Sequence, residues 1–368
     1  MIGMDFSYSA EQQMLGESAH SFLEDKAPLP VVRSLMETDS GYDTALWAEM
    51  ADLGWQAMAI PEEFGGAGFS FFEVGILMEE MGRLLTPSPF LSTVVMAANL
   101  VLLAGTDEQR ASILGPIAAG EMIATVASLP AQEAPEVVAA ESNGRTVLTG
   151  TKGFVLDGHI ADVMLVEAAE GGDRSLFVVD AAQDEVVAER IETLDMTRKQ
   201  ATVEFRGATA TRLGAAGAAK GHLSALEDLA VVALAFEQLG GARECLDMAV
   251  AYSKDRYQFG RPIGSFQAIK HKCADMLVLV EGAKSAAHYA GGVAAQGDSD
   301  LSIAAALAKA HCSVAYFTCA AENIQIHGGI GFTWEHDAHL YLKRAKTDSL
   351  LFGDPVTWRA KLADRVGL

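Results

Sequence analysis

The stretch Gln325-Ile326-His327-Gly328-Gly329-Ile330-Gly331-Phe332-Thr333-Trp334-Glu335 constrains this chain most, because it sets three glycines between two long helical patterns. A helical bundle gains no stability from glycine there, whereas backbone without Cβ atoms lets a flat or charged ligand approach closely. Upstream, Arg256-Tyr257-Gln258-Phe259-Gly260-Arg261-Pro262-Ile263-Gly264-Ser265-Phe266-Gln267 places a cation and two amides around a glycine-proline turn at the mouth of a helix. A third glycine-rich loop, Pro61-Glu62-Glu63-Phe64-Gly65-Gly66-Ala67-Gly68, lies nearer the N-terminus.

Around these loops the chain is helical at both ends and strand-like in the middle. With 368 residues, half of them apolar and 21% charged, it is long enough for two or three packed regions and too apolar to be disordered. Residues 1–120 read as an N-terminal helical domain. Ser9 and Gln12 form a capping box, Pro28 and Pro30 mark the end of the first helix, Leu46 to Gly54 is a second helical unit and Phe71 to Leu85 a third. Pro87 then opens an apolar stretch through Leu103. Residues 121–213 read as an antiparallel β domain. Its runs Met122 to Ala127, Thr146 to Thr149, Val163 to Val166, Leu176 to Val179 and Ala201 to Phe205 are punctuated by Asn143-Gly144, Asp157-Gly158 and Gly171-Gly172. In residues 214–368 a small-residue linker, Gly214 to Gly221, leads into helices predicted at Leu223–Lys254, Ser265–Ala295, Leu301–Ile326, Asp337–Leu351 and Pro355–Val366.

Charge narrows the partners. Lys plus Arg number 27 against 49 Asp plus Glu, a net charge of −22 that repels a phosphate backbone, so nucleic acid is not an expected partner. The cations that are present gather at Lys254 to Lys272 and Lys343 to Lys346. The cysteines Cys245, Cys273, Cys312 and Cys319 lie in apolar helical patterns with no Cys-x-x-Cys pair, as reduced thiols of a cytoplasmic protein do. The first residues, Met1-Ile2-Gly3-Met4-Asp5-Phe6, lack the pattern of a signal peptide, and no uncharged apolar run reaches the roughly 20 residues of a membrane span. His336 and His339 are spaced to touch one metal but no third ligand stands at a known spacing, so no metal is expected. Gly328-Gly329-Ile330-Gly331 has neither the preceding strand nor the acidic ribose ligand of a dinucleotide fingerprint.

Together, the three glycine-rich segments and the order helices, strands, helices resemble the acyl-CoA dehydrogenase family over nearly the whole chain. The resemblance implies an α+β fold with an N-terminal helical domain, a middle antiparallel β domain and a C-terminal helical bundle that makes the subunit contacts. It implies FAD as cofactor, an acyl-CoA as substrate in α,β-dehydrogenation and an electron-transferring flavoprotein as electron acceptor. In that family each flavin is shared between two subunits. By resemblance Arg256 pairs with the pyrophosphate, Phe259 packs on the ring system, Gln267 hydrogen-bonds the cofactor, and Gln325, Gly328 and Gly329 accept the adenosine end. The bare alternative is that Arg256 is a helix-end charge and the glycines a helix stop.

The half that receives the flavin departs from the family pattern. Ser128-Leu129-Pro130 and Ala131-Gln132-Glu133-Ala134 keep one hydroxyl of the family's Thr-Glu-Pro turn. In Gly150-Thr151-Lys152-Gly153-Phe154-Val155-Leu156-Asp157-Gly158, Phe154 can still pack on a flavin, while Leu156 has no donor for its polar edge. The two places from which the family draws its catalytic carboxylate hold Phe352 and Ala230. Glu237 lies seven residues beyond Ala230, turned about 20° and some 10 Å along the helix, so it is a weak candidate for the base against a buried structural acid. Asp228 and Asp354 are nearer but short, and Asp354 suits a cap. An intact donated half beside an altered receiving half resembles the shorter, base-lacking subunit of heteromeric bacterial dehydrogenases of steroid and other bulky acyl-CoA catabolism. This implies a heterotetramer with a homologous subunit. A homomeric enzyme with an unrecognised base and a non-enzymatic CoA-thioester-binding scaffold remain the alternatives.

Overall fold

Several helices begin where a side chain or proline satisfies or spares the first backbone N–H groups. In the computed structural model, which describes residues 8–129 and 134–368, the order is α1 (Ala10–Lys26), α2 (Leu29–Met36), α3 (Thr44–Asp52), α4 (Phe71–Arg83), α5 (Ala98–Ala104), α6 (Asp107–Ala118), β1 (Ala124–Ala127), β2 (Val138–Ser142), β3 (Arg145–Leu156), β4 (Val163–Glu170), β5 (Asp173–Asp180), β6 (Val186–Ile191), β7 (Gln200–Thr209), β8 (Thr211–Leu213), α7 (Ala219–Asp255), β9 (Tyr257–Gln258), β10 (Arg261–Pro262), α8 (Gln267–Gln296), α9 (Leu301–His327), α10 (Ala338–Leu350) and α11 (Pro355–Arg365). Ser9 and Gln12 make the expected capping box, Asp43 caps α3, and Thr106 with Gln109 makes a second box at α6. Pro30 belongs to the first turn of α2, where its missing N–H costs nothing. Residues 1–7, which include Met1 to Phe6, and the segment Pro130, Ala131, Gln132 and Glu133 lie outside the described residues.

The chain forms two compact units, each discontinuous in sequence. The first comprises the residues up to Val32, Phe71–Thr86 and Val231–Leu368. Here α9 packs against α8, α10 and α11, and α1 against α4. With the turn that follows it, α9 is long and apolar enough to cross a bilayer, but 67% of its most apolar window is buried in the fold, as in the central helix of a bundle. Helices α4 and α7 cross at backbone contact. A Cβ on Gly82 would stand 2.1 Å from the Glu237 carbonyl oxygen, and one on Gly240 would stand 1.9 Å from that of Glu79. Only glycine permits that approach.

The second unit, Arg33–Ser70 and Pro87–Ala230, is built on an eight-stranded sheet. The strands run β6-β7-β3-β2-β4-β5-β8, with β1 paired to β4. Two predicted turns are hairpins: Asn143-Gly144 joins β2 to β3 with φ of 50° and 75°, and Gly171-Gly172 joins β4 to β5 with φ of 60° and 98°. Asp157-Gly158 instead ends β3, whose neighbours are β7 and β2. The expectation of a purely antiparallel sheet needs a correction. β1 runs parallel to β4 along Ala124↔Val163 to Ala127↔Val166, and Val138 pairs parallel with Ala169. The intervening β2–β3 hairpin lets both chain directions be reached without a helical crossover on this face. Leu148, Val155, Met164, Val166, Phe177, Val203 and Phe205 fill the core beneath the sheet.

The apolar stretch after Pro87 also differs from an ordinary helix. Leu91–Ala97 winds as a π-helix before α5. The Asn99 amide donates to the carbonyls of Val94 and Val95 (3.3 and 2.9 Å), satisfying groups that the wider winding frees. The Thr93 hydroxyl donates to the Ala124 carbonyl and accepts from its N–H, tying this segment to β1.

Candidate functional site

The residues expected to grip a cofactor sit on two neighbouring features of the first unit. β9 and β10 form a two-stranded hairpin whose turn is Phe259-Gly260, with φ of 55° and 78°. Two successive left-handed residues give the turn a twist that matches the strands. The turn carries Phe259 outward, 92% exposed. Arg256, at the base of the hairpin, is exposed and makes no ion pair among the described residues, and Gln267 is exposed at the first position of α8. The Arg261 guanidinium lies 4.1 Å over the Phe266 ring, bracing the hairpin from below.

The second feature is the end of α9. Gln325 is exposed in its last turn, and Gly328 caps it with φ 65° and ψ −140°, a conformation open to glycine. A Cβ at Gly328 or Gly329 would meet nothing within 4 Å, so the turn presents bare backbone to solvent. The structure brings this turn and the hairpin together: the Tyr252 ring, one turn before Arg256, stacks on His327 at 4.1 Å. The Pro61–Gly68 loop is different. There a Cβ on Gly66 would lie 1.8 Å from the Ile60 carbonyl oxygen, and the N–H groups of Ala67, Gly68 and Phe69 bond to Ala57, Ile60 and Met58. Its glycines serve the chain's own packing.

Ser128 and Phe154 belong to the second unit. β3 has an irregularity between Lys152 and Val155, and Phe154, with φ 52°, projects 46% exposed from it. Leu156 is only 4% exposed. Lys152, itself buried, donates to the Ser128 carbonyl at 3.1 Å and lies 3.4 Å from Glu167. Gly153 N–H bonds to the Leu129 carbonyl. Ser128 and Leu129, just after β1, are therefore held by β3.

Neither expected base position holds an acid. Ala230 is fully buried. Phe352 is in the left-handed region, φ 62°, and its carbonyl accepts from the Trp358 indole at 2.9 Å. Asp354 caps α11, accepting from Thr357 N at 2.7 Å, and that hydrogen bond holds its carboxyl below the usual range. Glu237 forms an ion pair with Arg344, both side chains buried to within 3% exposure. The histidines at 336 and 339 are engaged in rings: His336 on His327 at 4.3 Å, and His339 on Trp334 at 4.9 Å, with Lys343 over the same indole. Among the described residues no three His, Cys, Asp or Glu side chains are grouped to hold a metal. Sequence reasoning gave no role to Lys152, Trp358 or His327; their partners lie 6 to 75 residues away, beyond any local pattern.

An exposed arginine hairpin beside a bare glycine turn, on a helix–sheet–helix chain, agrees with the resemblance to flavin-dependent dehydrogenases of acyl thioesters. Residues 9–121 match the model of the acyl-CoA dehydrogenase N-terminal domain and residues 220–367 that of the C-terminal domain. The chain is 38% identical to acyl-CoA dehydrogenase IpdE2 of Mycolicibacterium smegmatis over 94% of its own length and 96% of that protein's. The chain therefore belongs to the acyl-CoA dehydrogenase family, oxidoreductases that act on CH–CH groups with FAD. Among solved structures, the ChsE4-ChsE5 complex from Mycobacterium tuberculosis matches with TM-score 0.90 and 27% identity, covering 99% of each chain. A variant of the Tcur3481-Tcur3483 steroid acyl-CoA dehydrogenase matches with TM-score 0.87 and 31% identity, covering 97% of each. The exposed hairpin and glycine turn fit FAD: a guanidinium with no ion pair among the described residues suits a pyrophosphate, and exposed glycine backbone suits a planar group.

Proposed function

We propose that this chain is the non-catalytic subunit of a heteromeric acyl-CoA dehydrogenase, completing the FAD site of a homologous partner subunit. One observation carries the reading: every residue of the donated half, Arg256, Phe259, Gln267, Gln325, Gly328 and Gly329, is open to solvent in the single chain, while Ala230 and Phe352 stand where the base belongs. Arg256 then supplies a bidentate cation for the pyrophosphate. Phe259 covers an edge of the ring system, and the Gly328-Gly329 backbone accepts the adenosine. Bound FAD supplies the hydride acceptor for the β carbon of the acyl-CoA. The proton from the α carbon goes to an acid of the partner, since Glu237 is committed to Arg344. Ser128 and Phe154 form a reduced receiving half whose buried Leu156 offers the flavin edge no donor.

The two heteromeric structural relatives support this reading, and one of them is named as a steroid enzyme. An electron-transferring flavoprotein is the proposed electron acceptor. Four cysteines outside any disulfide support a cytoplasmic setting. We also propose 1–120, 121–213 and 214–368 as the domain boundaries; every strand of the large sheet falls between Ala124 and Leu213. The test is co-expression with a homologous dehydrogenase subunit encoded beside it, followed by sedimentation and flavin absorbance. The expected result is two copies of each chain and about half a flavin per chain, by the shared-site geometry. One reducible FAD per copy in a homomer that turns over acyl-CoA alone would overturn it.

A further inference from the structure

The two cofactor-gripping features are far apart in sequence, and nothing in either one alone fixes its distance from the other. One ring touches the supports of both. His327 is the last residue of α9, immediately before the glycine turn, and is 6% exposed. Its ring stacks on Tyr252 at 4.1 Å with an interplanar angle of 28°, and Tyr252 O accepts from Arg256 N at 2.9 Å, where α7 gives way to the hairpin. On the other side of the sequence, His336 contacts the same ring at 4.3 Å, and its own Nδ1 accepts from Ala338 N at the start of α10. The glycine turn also folds back on this residue: a Cβ on Gly331 would come within 2.8 Å of the His327 Cβ.

The imidazole is oriented as well as packed. Its Nδ1 lies 2.9 Å from the Asn323 carbonyl oxygen, which can only accept, so Nδ1 carries the hydrogen. Burial, with a smaller contribution from His336, holds its pKa below the ordinary histidine value despite the opposing effect of the Asn323 hydrogen bond. The ring is therefore neutral at neutral pH.

We propose that His327 is a positioning residue of the donated half-site, its ring locking the arginine hairpin and the glycine turn into one rigid FAD-gripping unit through Tyr252 and His336. The inference rests on the reading above, that these two features hold the cofactor of a partner subunit. The functional consequence is pre-organisation: FAD meets both grips already in register, and no binding energy is spent on bringing them together.

The test uses the co-purified complex, loaded with FAD and desalted, with flavin measured per complex, beside hydrogen exchange and melting of the flavin-free chain. His327→Ala should lower FAD retention about three- to tenfold, the size expected for losing stacked ring contacts. His327→Phe keeps a stacking ring and should stay within about twofold of the parent. His336→Ala removes one ring from a half-buried site and should give an intermediate loss even if His327→Ala fails to assemble. In the alanine variants, the backbone amides within 256–264 and 328–336 should exchange faster together, and in His336→Ala, at the half-buried ring, the melting temperature should change little. Arg256→Ala is the control for the underlying reading. If it loses FAD while His327→Ala and His336→Ala retain it, the two grips act independently and the inference fails. If His327→Phe falls as far as His327→Ala, stacking is not what matters and the inference again fails. If Arg256→Ala retains FAD, the half-site reading itself is wrong and the positioning role goes with it.

Discussion

Replacing Glu237 by glutamine should cost stability and leave turnover nearly intact. The side chains of Glu237 and Arg344 are 2% and 3% exposed, and their ion pair joins α7 to α10. The amide keeps an acceptor for the Arg344 N–H but removes the charge that compensates a buried guanidinium. Losing one charge-assisted hydrogen bond costs about 1.5–3 kcal/mol, and breaking a buried pair outright costs about 3–5 kcal/mol. Since the amide still accepts, the expected loss is about 2–3 kcal/mol. Urea unfolding followed by tryptophan fluorescence measures it, because Trp358 is fully buried and emits from the same unit. The midpoint should fall without a change in slope. A double replacement, Glu237→Leu with Arg344→Leu, removes both charges of this pair and should recover part of the loss. Turnover of the assembled complex should change by a few fold at most, whereas removing a general base lowers the rate on the order of a hundredfold or more. A hundredfold fall with the urea midpoint unmoved and flavin still bound would show that Glu237 is the base and that this chain is a catalyst in its own right.

Arg256→Ala should weaken FAD retention of the complex by about 1.5–3 kcal/mol with no change in chain melting, and Arg256→Lys should restore only part, since an ammonium lacks the planar fork; flavin absorbance after desalting checks both. The buried Glu80 carboxyl offers a pH test: burial pushes it up to about 7, against the opposing pull of Arg83, while it lies 2.9 Å from His20. A carboxyl raised in the folded state holds a proton that the unfolded chain has released, so its contribution is full below the ordinary carboxylate range and is lost as pH rises to about 7. Glu80→Gln should therefore gain melting temperature relative to the parent on going from pH 5 to pH 8, and a difference independent of pH would refute the assignment.

Much of the bundle was legible because its signals are local. α8 to α11 were expected within two residues of where they lie, since Pro355 and the glycines at 297 and 328 punctuate a clear helical period. Asn143-Gly144 and Gly171-Gly172 announced two hairpins by the left-handed backbone they need. What stayed hidden depends on partners distant in sequence. β2 is mostly exposed and shows no alternation, and the parallel pairing of β1 with β4 is set by the order of the sheet. The π-helix at Leu91–Ala97 depends on the Asn99 side chain answering freed carbonyls, which no apolar run encodes.

The site divides along the same line, and the division bears on function. Residue types such as Arg256 and Gly328-Gly329 can be read from sequence because the proposed FAD grip requires that chemistry directly. The absence of an acid at Ala230 and Phe352 can be read as well, but absence alone leaves a substitute base possible. The structure narrows that possibility through pairing: Glu237 is held by Arg344 and Asp354 by the Thr357 amide. An acid that must accept a proton in the transition state cannot at the same moment serve as the charged partner of a buried arginine, so protonating it costs that ion pair. The energetic conflict is the same few kcal/mol that the Glu237→Gln experiment measures. A large stability loss therefore counts against catalysis by Glu237 in the same measurement.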